Sequence, residues 1–110
     1  MNKLNINGIN AVISFDADIN LFRGEFVGLN GYADFYASDV VGLKKEGEIS
    51  LKVFLEACEA DNVTPYKQYS GKLITRISPD LHALAAETAK AQKVSLNALI
   101  ERAIQYEVAA

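Results

Sequence analysis

Residues 71–110 carry the pattern that most restricts how this chain can fold. A short segment that starts at Lys72 places Leu73, Thr75 and Ile77 on one side of an extended backbone, which predicts a β-strand. Two amphipathic helices are predicted after it, each with a single apolar stripe. Because a lone strand cannot satisfy its backbone N–H and C=O groups, we predict that a second copy of the chain completes this unit as a two-stranded ribbon over a helical core.

The two predicted helices begin at clear capping residues. Ser78 followed by Pro79 predicts an N-cap and a first helical residue, and Ser95 predicts a second N-cap after a break at Lys93-Val94. The stripe residues recur with helical spacing and are Leu81, Leu84, Ala85, Thr88 and Ala89 in the first helix and Leu96, Leu99, Ile100, Ala103 and Ile104 in the second. Matching stripes on consecutive helices predict one shared apolar core.

The first third of the chain predicts a small antiparallel sheet. Apolar and alternating stretches predict three strands, over 11–15, 21–29 and 32–37. The Asn30-Gly31 dipeptide predicts a tight hairpin turn between the second and third of them. One face of such a meander needs a cover.

A helix over 48–61 is predicted to supply that cover, with an earlier start at Ser38 or Asp39 left open. Its apolar stripe consists of Leu51, Phe54, Leu55 and Cys58. Gly42 and Gly47 each weaken a continuous helix by about 1 kcal/mol relative to alanine. The following segment contains a proline and predicts a linker over 63–70. The predicted class is therefore α+β, with one domain over 1–62 and a dimerisation domain over 71–110.

Composition and charge are typical of an ordinary globular protein. Half of the residues are apolar, the net charge is −3, and no apolar run approaches the roughly 18 residues of a membrane span. Cys58 is the single cysteine, so neither a disulfide nor a cysteine metal site is predicted. We expect a cytoplasmic location, no cofactor and no membrane partner.

The charge is unevenly divided along the chain. Residues 1–70 hold six Lys/Arg against ten Asp/Glu, a net charge of −4, whereas residues 71–110 hold five against four, a net charge of +1. An acidic first part favours a basic partner and disfavours nucleic acid, which leaves the second part as the candidate for a nucleic-acid contact.

The outward side of the predicted ribbon is suited to DNA, because a two-stranded ribbon fits the major groove. Arg76 can form two hydrogen bonds with a guanine edge, Lys72 can reach a guanine or a phosphate, and Ile74 offers only apolar contact, for instance with a thymine methyl. The start of the second helix, Ser95-Leu96-Asn97, presents backbone N–H groups to a phosphate. These six residues form the predicted DNA-binding site. The alternative is a solvent-facing strand that serves dimerisation only.

The segment 71–110 resembles a ribbon-helix-helix domain, a β-ribbon DNA reader of the Arc and MetJ class. The wider pattern is similar to the HicB family of antitoxins, over nearly the whole chain. That similarity rests on ordered motifs at 22–29, 35–40, 46–51 and 54–58, then on Pro65, 69–72, 76–82 and 94–97.

The resemblance implies an N-terminal domain with a partial RNase H-like fold that binds and blocks a HicA-type toxin, an mRNA-cleaving ribonuclease. It also implies a C-terminal domain that dimerises and represses its own operon by binding operator DNA. The sequence leaves open whether such dimers pair into tetramers. The positions that read DNA in that class correspond to Lys72, Ile74 and Arg76, and the phosphate-gripping helix start corresponds to Ser95, Leu96 and Asn97.

Two other functions stay open on the sequence. One is a ribbon-helix-helix regulator whose N-terminal domain binds a small ligand or another protein, with no toxin. The other is a metal-dependent nuclease that uses Asp16, Asp18, Glu25, Asp34 and Asp39. Because these acids fall in a turn or alternate toward solvent, we interpret them as surface acids and expect no enzymatic activity, no catalytic residue and no metal site. His82 and Cys58 are expected to have structural or surface roles.

Overall fold

A computed structural model describes residues 2–109 as an α+β protein with a four-stranded antiparallel sheet and three helices. The elements in chain order are β1 (Lys3–Ile6), β2 (Ile9–Asp16), β3 (Leu21–Phe26), β4 (Asp34–Ala37), α1 (Val40–Ala60), α2 (Pro79–Ala91) and α3 (Leu96–Val108). The chain divides into two compact units, Met1–Ser70 and Gly71–Ala110. Within residues 2–109, no helix is long and apolar enough to cross a membrane.

The first unit is a meander in which each strand pairs with its neighbour, in the order β1-β2-β3-β4. Side chains alternate between its two faces, and α1 packs on one of them. The core between the sheet and α1 consists of Ile6, Ala11, Leu29, Phe35, Leu43 and Leu51. This agrees with the predicted need for a helical cover, and the predicted stripe on α1 supplies Leu51 and the buried Cys58.

Two glycines allow the sheet and α1 to approach closely around Phe35. Gly24 lies opposite Phe35 on the neighbouring strand, and a Cβ on Gly24 would overlap the Phe35 ring. On the helix side, a Cβ on Gly47 would lie 3.2 Å from that ring and 3.1 Å from Ile6. The helix therefore continues through Gly47, because close packing of α1 on the sheet offsets the low helix propensity of glycine.

The helix α1 is longer than the predicted helix over 48–61. It starts after Asp39, whose carboxylate accepts the backbone N–H of Gly42 at 2.6 Å and so acts as the N-cap. The earlier start that the sequence left open is confirmed. Neither Gly42 nor Gly47 interrupts the helix.

Two features of the sheet differ from the sequence prediction. The strand β1 was not predicted, and it pairs with β2 across an Asn7-Gly8 turn in which both residues have positive φ, 51° and 90°. The predicted tight turn at Asn30-Gly31 is wrong, because β3 ends at Phe26 and β4 begins at Asp34. The Asn30 side chain instead donates hydrogen bonds to two carbonyl oxygens of the segment 64–66, and these hold it away from a hairpin.

The segment 63–70 is attached to the first unit over part of its length. Tyr66 forms an isolated antiparallel bridge with Leu29, and the backbone N–H of Lys67 donates to the Gly28 carbonyl at 2.9 Å. The Asn30 N–H donates to the Pro65 carbonyl at 2.8 Å. The boundary between the units lies after this attachment, between Ser70 and Gly71.

The second unit contains α2 and α3 joined by a tight connection. Ser78 and Ser95 cap the two helices as predicted, and Pro79 is the first residue of α2. Lys93 has a positive φ of 57°, and the Val94 N–H donates to the Ala89 carbonyl, which closes the end of α2 in the pattern usually made with glycine. Residues 72–77 form no strand within the single chain. The strand stays a prediction, since its proposed partner is a second chain.

Candidate nucleic-acid interface

The segment 71–80 is exposed along its whole length in the single chain. Ile74 is fully exposed, Leu73 is 74% exposed and Ile77 is 41% exposed. Exposure of several large apolar side chains in one segment is unfavourable, because burying each of them would contribute about 1.5–3 kcal/mol. The exposed segment is therefore the first surface at which to look for a partner.

Two open grooves place this segment beside the helices of the same unit. One is lined by Ile74, Thr75, Arg76, Ile77, His82, Leu96 and Ile100. The other is lined by Gly71, Leu73, Thr75, Asn97, Ile100, Glu101, Ile104 and Gln105. Of the six predicted DNA-binding residues, Ile74, Arg76 and Leu96 thus share a groove, and Asn97 lines the second. Lys72 and Ser95 line neither groove.

The start of α3 has the geometry expected of a capped helix. The Ser95 hydroxyl accepts the backbone N–H of Ala98 at 3.0 Å, and the Leu99 N–H makes the first helical bond, to the Ser95 carbonyl. The first N–H groups of any helix have no partner inside the helix, and the helix dipole is positive at this end. The backbone at Leu96 and Asn97 therefore offers N–H groups to an anion such as a phosphate.

We expect the Ser95→Ala variant to unfold more easily, by about 1 kcal/mol, because the cap on Ala98 is lost. Urea unfolding followed by circular dichroism measures the change. Ser95→Asp is the matched control, since aspartate also caps a helix and its negative charge interacts favourably with the positive end of the helix dipole. Equal stability of Ser95→Ala and the unmodified chain would contradict the capping role.

His82 and Ile100 line the first groove and were not predicted as part of the site. Ile100 belongs to the predicted apolar stripe of α3, and His82 lies beside the stripe of α2. Their place beside Ile74 and Arg76 depends on how the exposed segment lies against the two helices. The exposed side chain of His82 fits the surface role expected from the sequence.

The positive charge of this unit is dispersed. Lys72 and Arg76 lie on the exposed segment, whereas Arg102 is on α3 and donates a hydrogen bond to the Gln92 side chain at the end of α2. With a net charge of +1 over residues 71–110, the unit is far from the strongly basic domains that charge alone holds on DNA. Any DNA selectivity must therefore come from contacts with base edges.

Four acids of the first unit make local contacts. Asp34 pairs with Arg23 at 2.5 Å and Glu25 pairs with it at 3.1 Å. The hydrogen bond that Arg23 donates to the Asp34 carboxylate raises the pKa of Arg23. Asp16 accepts the backbone N–H two residues later, and Asp39 caps α1. Among residues 2–109, no group of three or more His, Cys, Asp or Glu side chains could hold a metal ion.

Comparison with protein-family models gives a match over the second half of the chain. A model of the HicB family matches residues 54–104, just under half of the chain, which covers the end of α1 and most of the second unit. Over these residues the chain is similar to the HicB family, which is an antitoxin family. Neither a curated protein nor a solved structure matches the chain.

Proposed function

We propose that this protein is the antitoxin of a type II toxin–antitoxin system. In this proposal the unit Met1–Ser70 has a partial RNase H-like fold that binds and neutralises a HicA-type mRNA interferase. The unit Gly71–Ala110 pairs with a second copy as a ribbon-helix-helix domain, which binds operator DNA and represses the operon. Neither role requires an enzymatic activity, a metal or a cofactor.

The observation that carries the proposal is the unfilled core of the second unit. Ala89 is its one buried residue among 71–109, while Leu81 and Leu84 on α2 are 53% and 58% exposed. In each copy of the chain, the second unit therefore presents an apolar face made of the predicted stripes on α2 and α3. Two copies related by a two-fold axis bury both faces at once, and they give each 72–77 segment an antiparallel partner for its backbone groups.

Dimerisation through this face leaves the other side of the paired segments available. Lys72, Ile74 and Arg76 alternate with the residues that face the core, so all three lie on the outer side of the ribbon. The outer side is the one that enters the major groove, where an arginine can recognise guanine and a lysine can reach guanine or phosphate. The start of α3 at Ser95, Leu96 and Asn97 supplies a phosphate contact at each end of the dimer.

A basic toxin fits the charge of the first unit. Residues 1–70 carry a net charge of −4, and opposite charge speeds the encounter of two proteins and disfavours wrong partners. The acids Glu25 and Asp34 share the single Arg23 on the sheet face that α1 does not cover. Lys3 lies on the same face, in register with Glu25 through Val12, so the negative charge offered to a partner is that of the unit as a whole.

A second candidate is supported by the extent of the family match. The match starts at residue 54, so nearly all of the sheet lies outside it. The extent of the match fits a second function equally well. In that function the chain is a ribbon-helix-helix regulator whose sheet unit binds a small ligand or another protein, with no toxin. The product of a short neighbouring reading frame separates the two candidates. Inhibition of RNA cleavage by the full chain supports the antitoxin, and a neighbouring product that neither binds the chain nor cleaves RNA supports the regulator.

The DNA-binding part of the proposal is tested by fluorescence anisotropy. The purified full chain is titrated into labelled DNA from just upstream of its own gene and into a scrambled duplex, at two salt concentrations. Selective binding that weakens at higher salt is the expected result, because phosphate contacts release counterions. Equal binding of both duplexes, or no binding, would contradict an operator-specific repressor.

The phosphate contact at α3 has its own test within the same titration. Ser95→Asp keeps the helix capped and adds a negative charge next to the proposed phosphate. We expect this variant to fold normally and to bind the operator more weakly. Ser78→Asp is the control, because it places the same acidic cap on α2, which has no proposed phosphate contact and already carries Asp80 in its first turn.

A further inference from the structure

We infer that Ile74 reads the 5-methyl group of a thymine, so that each operator half-site requires a thymine at the position facing this side chain. The inference rests on the proposed function, and it assigns to one residue a base preference that hydrogen bonding cannot supply. In this arrangement the outer side of the proposed ribbon has an apolar residue at its centre, Ile74, between the basic residues Lys72 and Arg76.

The starting observation is the position of Ile74. Its side chain is fully exposed in the single chain, although it is branched, large and free of polar atoms. The neighbouring residues Leu73 and Thr75 line the groove formed with α3. In the single chain Ile74 lines the other groove, with Leu96 and Ile100. In the proposed ribbon it alternates with Leu73 and Thr75 and so lies on the outer side, between Lys72 and Arg76, which are two residues away on either side.

The basic neighbours argue against a protein partner for this side chain. The centre of a protein–protein interface is depleted of charged residues, whereas here two cations, Lys72 and Arg76, flank Ile74. In a DNA groove the same charges face phosphates and base edges. An isoleucine flanked by two cations is therefore better suited to a nucleic acid than to a second protein.

The chemistry of the major groove then selects the base. All four bases present hydrogen-bonding groups in that groove, and thymine presents its O4 acceptor, but only thymine adds an apolar methyl group. A polar base edge pressed against Ile74 would lose its water without gaining a hydrogen bond, which is unfavourable. Contact with the methyl group is favourable and lacks that cost, so the position facing Ile74 accepts thymine and rejects the other bases.

Uracil provides the test, because it pairs like thymine and lacks only the methyl group. The operator duplex is prepared with each thymine replaced in turn by uracil, symmetrically in both half-sites. For one position we expect binding of the full chain to weaken by about fourfold per methyl, or about fifteenfold for the symmetric pair, as for loss of one buried CH₂ in each half-site. At the other thymines we expect little change.

Three variants identify the side chain responsible. Ile74→Ala should bind the thymine duplex more weakly and lose its response to uracil at that position, while Ile74→Val should keep most of the response. Val41→Ala removes an exposed branched side chain from α1, in the other unit, and should leave both measurements unchanged. Because Ile74 is exposed, none of these changes removes a buried contact of the single chain.

Each outcome bears on the inference. Selective operator binding without a uracil effect, or with the effect kept in Ile74→Ala, overturns the role of Ile74 and leaves the repressor standing. Loss of self-association in Ile74→Ala overturns it too, because the side chain would then belong to the dimer contact. Absence of selective binding to any duplex overturns the inference together with the DNA-binding function on which it rests.

Discussion

Replacing Leu84 with glutamate is expected to convert the protein from a dimer to a monomer. Leu84 is 58% exposed in the single chain and lies on the apolar stripe of α2, so glutamate costs little there but becomes an unpaired buried charge in the dimer. Such a charge costs at least about 3 kcal/mol, and symmetry places two in each dimer. The dimer dissociation constant should rise by about 10⁴-fold, which sedimentation equilibrium measures.

Tyr106→Glu is the matched control for this change. Tyr106 is 87% exposed on α3 and lies outside the predicted stripe of that helix, so the same new charge stays in water in both states. We expect this variant to dimerise like the unmodified chain. A Leu84→Glu protein with an unchanged dissociation constant would show that the two copies meet elsewhere, and the ribbon would lose its basis.

The Arg76→Ala variant is expected to lose operator binding while it keeps toxin neutralisation. A bidentate contact between arginine and guanine contributes about 1–3 kcal/mol of discrimination, and a symmetric dimer loses it twice. Arg76 belongs to the second unit, whereas the proposed toxin surface belongs to the first. Anisotropy with operator and scrambled DNA, together with inhibition of RNA cleavage by the toxin, measures the two activities on one preparation.

Arg102→Ala is the control for charge in that comparison. Arg102 carries the same charge in the same unit but donates to the Gln92 side chain, away from the exposed segment. Its loss should reduce binding to operator and scrambled DNA by a similar small factor, because only a long-range attraction changes. If Arg76→Ala impaired toxin inhibition and DNA binding equally in a folded protein, the division of the two roles between the units would be wrong.

The local signals in the sequence predicted the helices more fully than the sheet. Ser78, Ser95 and Asp39 are N-caps as the sequence predicted or left open, because a cap depends on residues only a few positions away. The strand β1 was missed, since only Leu4 and Ile6 show its alternation, although Asn7-Gly8 carries the hairpin signal. Asn30-Gly31 carries the same signal in a place where distant hydrogen bonds override it.

Two parts of the molecule could not be predicted from spacing alone. The length of α1 depends on Gly47 fitting against Phe35, a contact between residues on different elements that no local pattern announces. The candidate site gains His82 and Ile100 only once the exposed segment lies beside α3. The whole segment 71–80 is exposed in the single chain, so the predicted alternation of Ile74 and Arg76 with Leu73 and Ile77 is tested only when a partner pairs with the segment.

In the proposed dimer the two units differ in where their cores come from, which would give the chain two different stabilities. The first unit encloses Ile6, Phe35 and Leu51 by itself, so its folded fraction is a property of one molecule. A core that closes only between copies is governed by mass action instead, so the folded fraction of the second unit falls as the protein becomes dilute. In the proposed antitoxin, falling protein concentration would therefore relieve repression before it ended toxin binding, which turns the DNA-binding half into a sensor of how much protein the cell holds.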